Sequence, residues 1–161
     1  LALLLRLPIN RLIKWSIYTQ FCGGTTIENS QSVIEKLWRS GIGTILDYSA
    51  EGKETDSDFK TVTAQTIESI EKAKNTESIP FAVFKLTGIS SYSLLKKLNT
   101  SELLNNNEKE NLEKLNIRVD KICESASKNN VRLFIDAEES WIQDAIDNLV
   151  LKMMRKYNKF A

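Results

Sequence analysis

Short apolar runs alternate with longer amphipathic stretches along this chain, and the alternation recurs four times. The short runs are rich in β-branched and aromatic residues, which is typical of strands, whereas the longer stretches space their apolar positions as a helix does. We therefore predict four βα units over residues 17–161, with strands at 17–22, 43–48, 79–85 and 131–136. Residues 1–16 mix Leu and Ile with cations and are predicted to be an N-terminal helical segment.

The four helices are predicted from their first residues and from their apolar stripes. Capping boxes at Thr25–Glu28 and at Ser140–Gln143 open the first and last helices, the second starts near Asp56 to Asp58, and the third follows Asn105–Asn107 after a longer polar region. The residues predicted to face the core are Ile27, Ile34, Leu37 and Trp38; Phe59, Val62, Thr66, Ile70 and Ala73; Leu112, Leu115, Val119, Ile122 and Ala126; and Ile142, Ala145, Ile146, Leu149, Met153 and Tyr157.

Consecutive βα units predict parallel strands joined by right-handed crossovers. An open doubly wound sheet and a barrel both satisfy this pattern. Cys22-Gly23-Gly24-Thr25 lacks the glycine spacing of a dinucleotide-binding turn, which favours the barrel. A complete barrel needs about 250 residues. The predicted fold class is therefore α/β, comprising the first four βα units of an incomplete (β/α)8 TIM-type barrel.

Composition narrows the classes of function. Of the 161 residues, 42% are hydrophobic and 27% are charged, which is typical of one globular domain. The 22 basic and 21 acidic side chains nearly cancel, so a nucleic-acid partner is not expected. Without histidine, the chain offers neither a Ser-His pair nor a His-based metal site, and we expect no metal. Cys22 and Cys123 are predicted to be ordinary thiols in a reducing compartment.

Polar residues at the predicted strand ends are the candidates for chemistry, because ligands of parallel α/β folds bind there. Period-two alternation and a strand spacing of about 4.8 Å allow Lys85 and Asp136 to meet if their strands are neighbours. The alternative is that both are rim residues in water. Tyr48 is a candidate for stacking on a ligand, whereas Asp47 is more typical of a structural loop residue.

Four segments at these strand ends resemble, in order and separation, the motifs of the proline dehydrogenase family, and the similarity covers nearly the whole chain. A fifth segment resembles the family's sequence after the fourth strand. The segments are Phe21–Gly24, Gly43–Ser49, Phe84–Gly88, Val131–Glu138 and Glu139–Ile146.

The resemblance implies an FAD-dependent flavoprotein that oxidises L-proline to 1-pyrroline-5-carboxylate, the first step of proline catabolism, and passes the electrons to a quinone. It implies that Lys85 binds the proline carboxylate and that Asp136 lies close to the flavin and the lysine, which makes both candidate catalytic residues. Ala137 and Glu138 accompany Asp136 as candidate cofactor-binding residues, and Tyr48 joins Lys85 as a candidate substrate-binding residue.

The resemblance also implies that the family's later strands, with most flavin contacts and a pair of arginines, lie beyond this chain. We therefore expect the isolated chain to be inactive and poorly soluble, since it would have unpaired sheet edges. The implied location is cytoplasmic, or mitochondrial in a eukaryote. We favour packing of residues 1–18 across the base of the barrel, with peripheral contact with the inner membrane as the alternative.

Two other functions stay open at this point. A lysine at a barrel strand end is also how Schiff-base aldolases bind carbonyl substrates, which would use Lys85. A half-barrel is also able to act without catalysis, as an interaction module that pairs with itself or with another chain.

Overall fold

The computed structural model describes residues 16, 18, 22–48, 52 and 54–158. The chain divides into two compact units, Leu1–Gly43 and Thr44–Ala161. The first unit contains helix α1, Ile27–Trp38, whose N-cap Thr26 accepts a hydrogen bond from the Asn29 amide at 3.2 Å. Gly24 passes so close to this first turn that a Cβ atom would lie 2.6 Å from the Ser30 hydroxyl, so only glycine fits there.

The second unit contains a parallel sheet of three strands in the order β1-β2-β3, which confirms the α/β class and the parallel strands. Each strand is followed by helix, as predicted. In chain order the elements are β1 Ile45–Leu46, α2 Asp56–Ala73, β2 Phe81–Phe84, a 3-10 turn Leu86–Gly88, α3 Tyr92–Asn99, α4 Asn106–Asn129, β3 Arg132–Ile135 and α5 Ser140–Tyr157.

Local sequence explains where the long helix α4 begins and ends. The Asn105 side chain accepts from the Glu108 amide and the Glu108 carboxylate accepts from the Asn105 amide, each at 2.9 Å, which forms a reciprocal capping box. At the other end Asn130 adopts a left-handed conformation with φ 54°, which asparagine tolerates better than most residues. The beginning of α4 agrees with the sequence prediction.

Three features differ from the sequence predictions. The predicted strand 17–22 lies mostly outside the described residues, and its described members Tyr18 and Cys22 share an i to i−4 hydrogen bond of 2.8 Å, which is the spacing of a helical turn. The predicted capping box at Ser140 is wrong, because Glu139 is the N-cap and makes no side-chain cap. Helix α3 lies in the stretch predicted only as polar.

The sheet has two unlike faces. On the covered face Ala82 and Phe84 are buried and pack against the helical layer, to which α2 and α4 contribute. On the open face the Phe81 and Phe134 rings stack with centroids 4.5 Å apart, and Phe134 is 46% exposed. Alternation along each strand therefore puts the core of the second unit on one side of the sheet.

The core of the second unit contains most of the stripes predicted for α2, α4 and α5, whereas in the stripe predicted for α1 only Ile34 is buried and Trp38 is 44% exposed. The buried core members from α2, α4 and α5 include Val62, Ile70, Leu115, Val119, Ile122, Ala126, Ile142, Ile146, Leu149 and Met153.

Both cysteines are free thiols, Cys22 exposed and Cys123 buried, and burial raises the pKa of Cys123 to about 11. Among the described residues, the helices are too short or too polar to cross a membrane.

Candidate functional site

Lys85 and Asp136 meet at the carboxyl ends of two neighbouring strands. The β2–β3 register pairs Phe84 with Ile135, so the next residue of each strand, Lys85 and Asp136, lies opposite the other. The Asp136 amide donates to the Phe84 carbonyl at 3.0 Å, and the Lys85 Nζ to Asp136 Oδ2 distance is 3.7 Å. The structure thus brings together the two residues that the sequence paired.

This ion pair is open to solvent, since the Lys85 side chain is 31% exposed and that of Asp136 is 50% exposed. Pairs of this kind contribute little to the free energy of unfolding, because water already solvates both charges. The same openness leaves the Lys85 ammonium accessible to an anion that enters from the strand ends. The pair is therefore better suited to binding than to holding the fold together.

A second contact joins the same two strand ends one step further on. The Thr87 amide donates to Glu138 Oε1 at 3.1 Å, and the Thr87 hydroxyl donates to Glu138 Oε2 at 2.5 Å. The Glu138 amide in turn donates to the Gln143 side chain at 2.9 Å. Both oxygens of one carboxylate are thus used to connect the 3-10 turn after β2 with the loop after β3.

A cleft of about 650 Å³ lies at the strand ends; Asp136 and Gln143 do not line it. Three of the predicted site residues belong to it, Lys85, Ala137 and Glu138. The sequence analysis gave no role to Thr87 or to Tyr92, which also line it. Burial raises the pKa of Tyr92, and the nearby Glu139 carboxylate adds to the increase.

Tyr48 lies near the same strand end as Lys85. It lines a narrow crevice with Val83, Lys85 and, from α2, Val62 and Thr66. Its ring is 45% exposed. Tyr48 therefore lies at the same end of the sheet as Lys85, where an aromatic ring is able to contact a bound ligand.

A buried arginine supports the segment that follows Lys85. Arg118 on α4 is 8% exposed; its Nη1 donates to the Ile89 carbonyl at 3.1 Å and its Nη2 donates to Asp56 Oδ1. Its guanidinium also lies over the Phe59 ring, 5.3 Å from the centroid. The hydrogen bond from Lys60 and the positive charge of Arg118 lower the pKa of Asp56. The backbone beyond the 3-10 turn is thus anchored to two helices.

The sequence contained a signal for the Thr87 contact that was not used. Thr87 lies two residues after Lys85, and Glu138 lies two residues after Asp136. Once Lys85 is placed opposite Asp136, an unchanged register places Thr87 opposite Glu138 as well.

Comparison with known proteins agrees with the motifs at these strand ends. The family model for proline dehydrogenase matches residues 30–161. This chain belongs to the proline dehydrogenase family. Membership in this family favours neither a Schiff-base aldolase nor an interaction module.

Individual relatives support the assignment. The chain is 32% identical to the carbapenem antibiotics biosynthesis protein CarD of Pectobacterium carotovorum, an alignment that covers 86% of this chain and 37% of the relative. It is 30% identical to mitochondrial proline dehydrogenase 1 of Dictyostelium discoideum, with 94% of this chain and 33% of the relative covered. The chain therefore spans about a third of the length of these relatives.

The fold also matches a solved structure. Proline utilization A from Bdellovibrio bacteriovorus, inactivated by N-propargylglycine, superposes with a TM-score of 0.75 at 12% identity, covering 95% of this chain and 17% of that protein. At this identity the likeness is one of fold.

Proposed function

We propose that this chain is the first part of a proline dehydrogenase barrel that oxidises L-proline to 1-pyrroline-5-carboxylate. The observation that carries the proposal is the Lys85–Asp136 pair, 3.7 Å apart at adjoining strand ends in a chain of this family. In the proposal the three strands of the sheet and the helices that follow them are consecutive βα units of a (β/α)8 barrel. The open face of the sheet, with Phe81 and Phe134, would then face the barrel interior.

The role proposed for Lys85 follows from its charge and its exposure. Its ammonium binds the carboxylate of proline, and Asp136 opposite holds the ammonium at the strand end. Tyr48 bounds the substrate from the β1 side. Positioning of this kind matters because oxidation requires one particular C–H bond to face the electron acceptor.

The residues present fit one edge of a flavin. Ala137 is exposed between two acidic neighbours, and its small side chain leaves space for a planar ring at the strand end. Asp136, Ala137 and Glu138 are the residues that would hold FAD here. When bound, FAD supplies the electron acceptor for the C–H oxidation, with a quinone as the final acceptor. Other flavin and carboxylate contacts would come from the remaining strands of the barrel, so the 161-residue chain alone is expected to be inactive and poorly soluble.

Location is part of the same proposal. The relative from Dictyostelium discoideum is named as mitochondrial, as is a probable proline dehydrogenase of Schizosaccharomyces pombe. A mitochondrial protein in a eukaryote, or a cytoplasmic one in a bacterium, would reach its quinone by peripheral contact with the inner membrane.

Flavin reduction tests the function. In the full-length protein loaded with FAD, L-proline should bleach the flavin absorbance under anaerobic conditions. Lys85→Met should raise the KM for proline about tenfold to a hundredfold, because a charged hydrogen bond of about 1.5–3 kcal/mol is lost. Lys121→Met, at an exposed position of α4, is the matched control and should leave KM unchanged. The proposal would be refuted if the full-length protein binds FAD but proline does not reduce the bound flavin.

A further inference from the structure

We infer that Thr87 and Glu138 form a positioning clasp, which holds Lys85 opposite Asp136 so that the ammonium is placed to bind the substrate carboxylate. The inference rests on the proposed function of Lys85 and adds to it two residues that act through the lysine. It gives Glu138 a role that does not depend on contact with a cofactor.

The need for a clasp follows from where the strand pairing ends. Ladder hydrogen bonding between β2 and β3 ends with the Asp136 amide on the Phe84 carbonyl. Lys85 is the next residue, and the chain then turns into the 3-10 turn. The Lys85–Asp136 pair is largely solvated, and such pairs do little to fix backbone geometry.

The clasp lies immediately beyond the pair, where it is able to restrain both strand ends. Thr87 offers its amide and its hydroxyl to the two oxygens of Glu138, and hydrogen bonds to a carboxylate are stronger than neutral ones. Glu138 is itself oriented by the bond from its amide to Gln143 at 2.9 Å. The clasp therefore joins Thr87, two residues after Lys85, to Glu138, two residues after Asp136.

The other side of the turn is already fixed. Arg118 anchors the Ile89 carbonyl, and a Cβ atom on Gly88 would lie 3.2 Å from Val62 Cγ1, so the turn is packed tightly against α2. With the turn fixed at Gly88 and Ile89, the contact of Thr87 with Glu138 sets the distance between the two strand ends. Lys85 lies within that span and moves with it.

A double-mutant cycle in the full-length protein tests the inference. The first readout is the Kd of cyclopentanecarboxylate, measured by calorimetry; this compound has a five-membered ring and a carboxylate, as proline does, but no amine to oxidise. The second readout is the KM and kcat for proline. Thr87→Val should raise Kd and KM about tenfold at unchanged kcat, and Glu138→Gln should raise the Kd of the analogue about tenfold. Thr87→Ser, which keeps the hydroxyl, should behave as the parent. In a Lys85→Met background, Thr87→Val should cause no further weakening.

Each other outcome counts against the clasp. Equal weakening in both backgrounds, or a loss of active protein at unchanged KM, would show a structural role. If Thr87→Val is insoluble, Glu138→Gln carries the same cycle, and failure of both to fold would likewise overturn the inference. If Lys85→Met binds the analogue as tightly as the parent does, the proposed role of Lys85 fails too. Weakening by Lys85→Met without any by Thr87→Val refutes the clasp alone.

Discussion

The two faces of the sheet use aromatic residues in different ways. Phe84 on the covered face is 2% exposed and packs into the core between sheet and helices, whereas Phe134 on the open face is 46% exposed and stacks on Phe81. Hydrophobic stabilisation follows the apolar area removed from water, so the covered face should supply most of the stability of this unit.

The candidate chemistry lies with the open face. Period-two alternation along β2 places Lys85 on the side of Phe81 and Val83, away from Phe84. Substitutions that weaken the fold and substitutions that weaken binding should therefore separate by face, which stability measurements test directly.

The largest expected effect is that of Phe84→Ala. Removing this buried ring should lower the free energy of unfolding by about 3–5 kcal/mol, because a cavity is left in the core. In the 161-residue chain, where Phe134 is 46% exposed, Phe134→Ala is the matched control on the open face and should cost less than about 1 kcal/mol. Denaturant unfolding of both variants checks this. Equal losses would show that the open face is buried in the folded protein under the conditions used.

A smaller effect is expected in the helical layer that buries the covered face. Asn105→Ala removes the N-cap of α4 and should cost about 1 kcal/mol of stability. Asn107→Ala, exposed in the same first turn, is the control and should change stability by less than about 0.5 kcal/mol. Thermal unfolding measures both variants. A loss no larger than that of the control would mean that α4 does not depend on its cap.

The smallest effect is a pH dependence of the same layer. Hydrogen bonds from Lys156 and Tyr157 lower the pKa of Asp120 below its ordinary value of 3.8. A lowered folded pKa means that this contribution is present above pH 3.8 and is lost as the pH falls through the folded value.

Asp120→Asn should therefore flatten part of the acid-side decline in stability, which unfolding midpoints between about pH 5 and pH 2 would reveal. The control is Asp144→Asn, at an exposed position of α5. An identical decline in parent and Asp120→Asn would contradict the assignment to this carboxylate.

Sequence reasoning identified the Lys85–Asp136 meeting because few geometries were open to it. If two neighbouring parallel strands end at the same height, only one register is left. In that register the lysine and the aspartate at the two strand ends face each other. The same reasoning reached the buried stripe of α2, where Phe59, Val62 and Ile70 recur at helical spacing and are all buried.

It failed at the start of α5 and at helix α3, for different reasons. Ser140 is typical of an N-cap, yet Gln143 binds the Glu138 amide and the helix begins without a side-chain cap. Helix α3 is short, and such helices are marginal without tertiary packing. It packs against α5, where the Asn99 side chain accepts from the Ala145 amide at 3.2 Å.

The sequence by itself therefore determined the three parallel strands, the buried faces of α2, α4 and α5 and the two charges at the strand ends, because period and chain order are local properties. Only the tertiary structure decided that Arg118 is buried and that one face of the sheet stays open. Those outcomes depend on which distant groups form hydrogen bonds with each polar atom and which pack against each apolar surface. No local pattern encodes that choice.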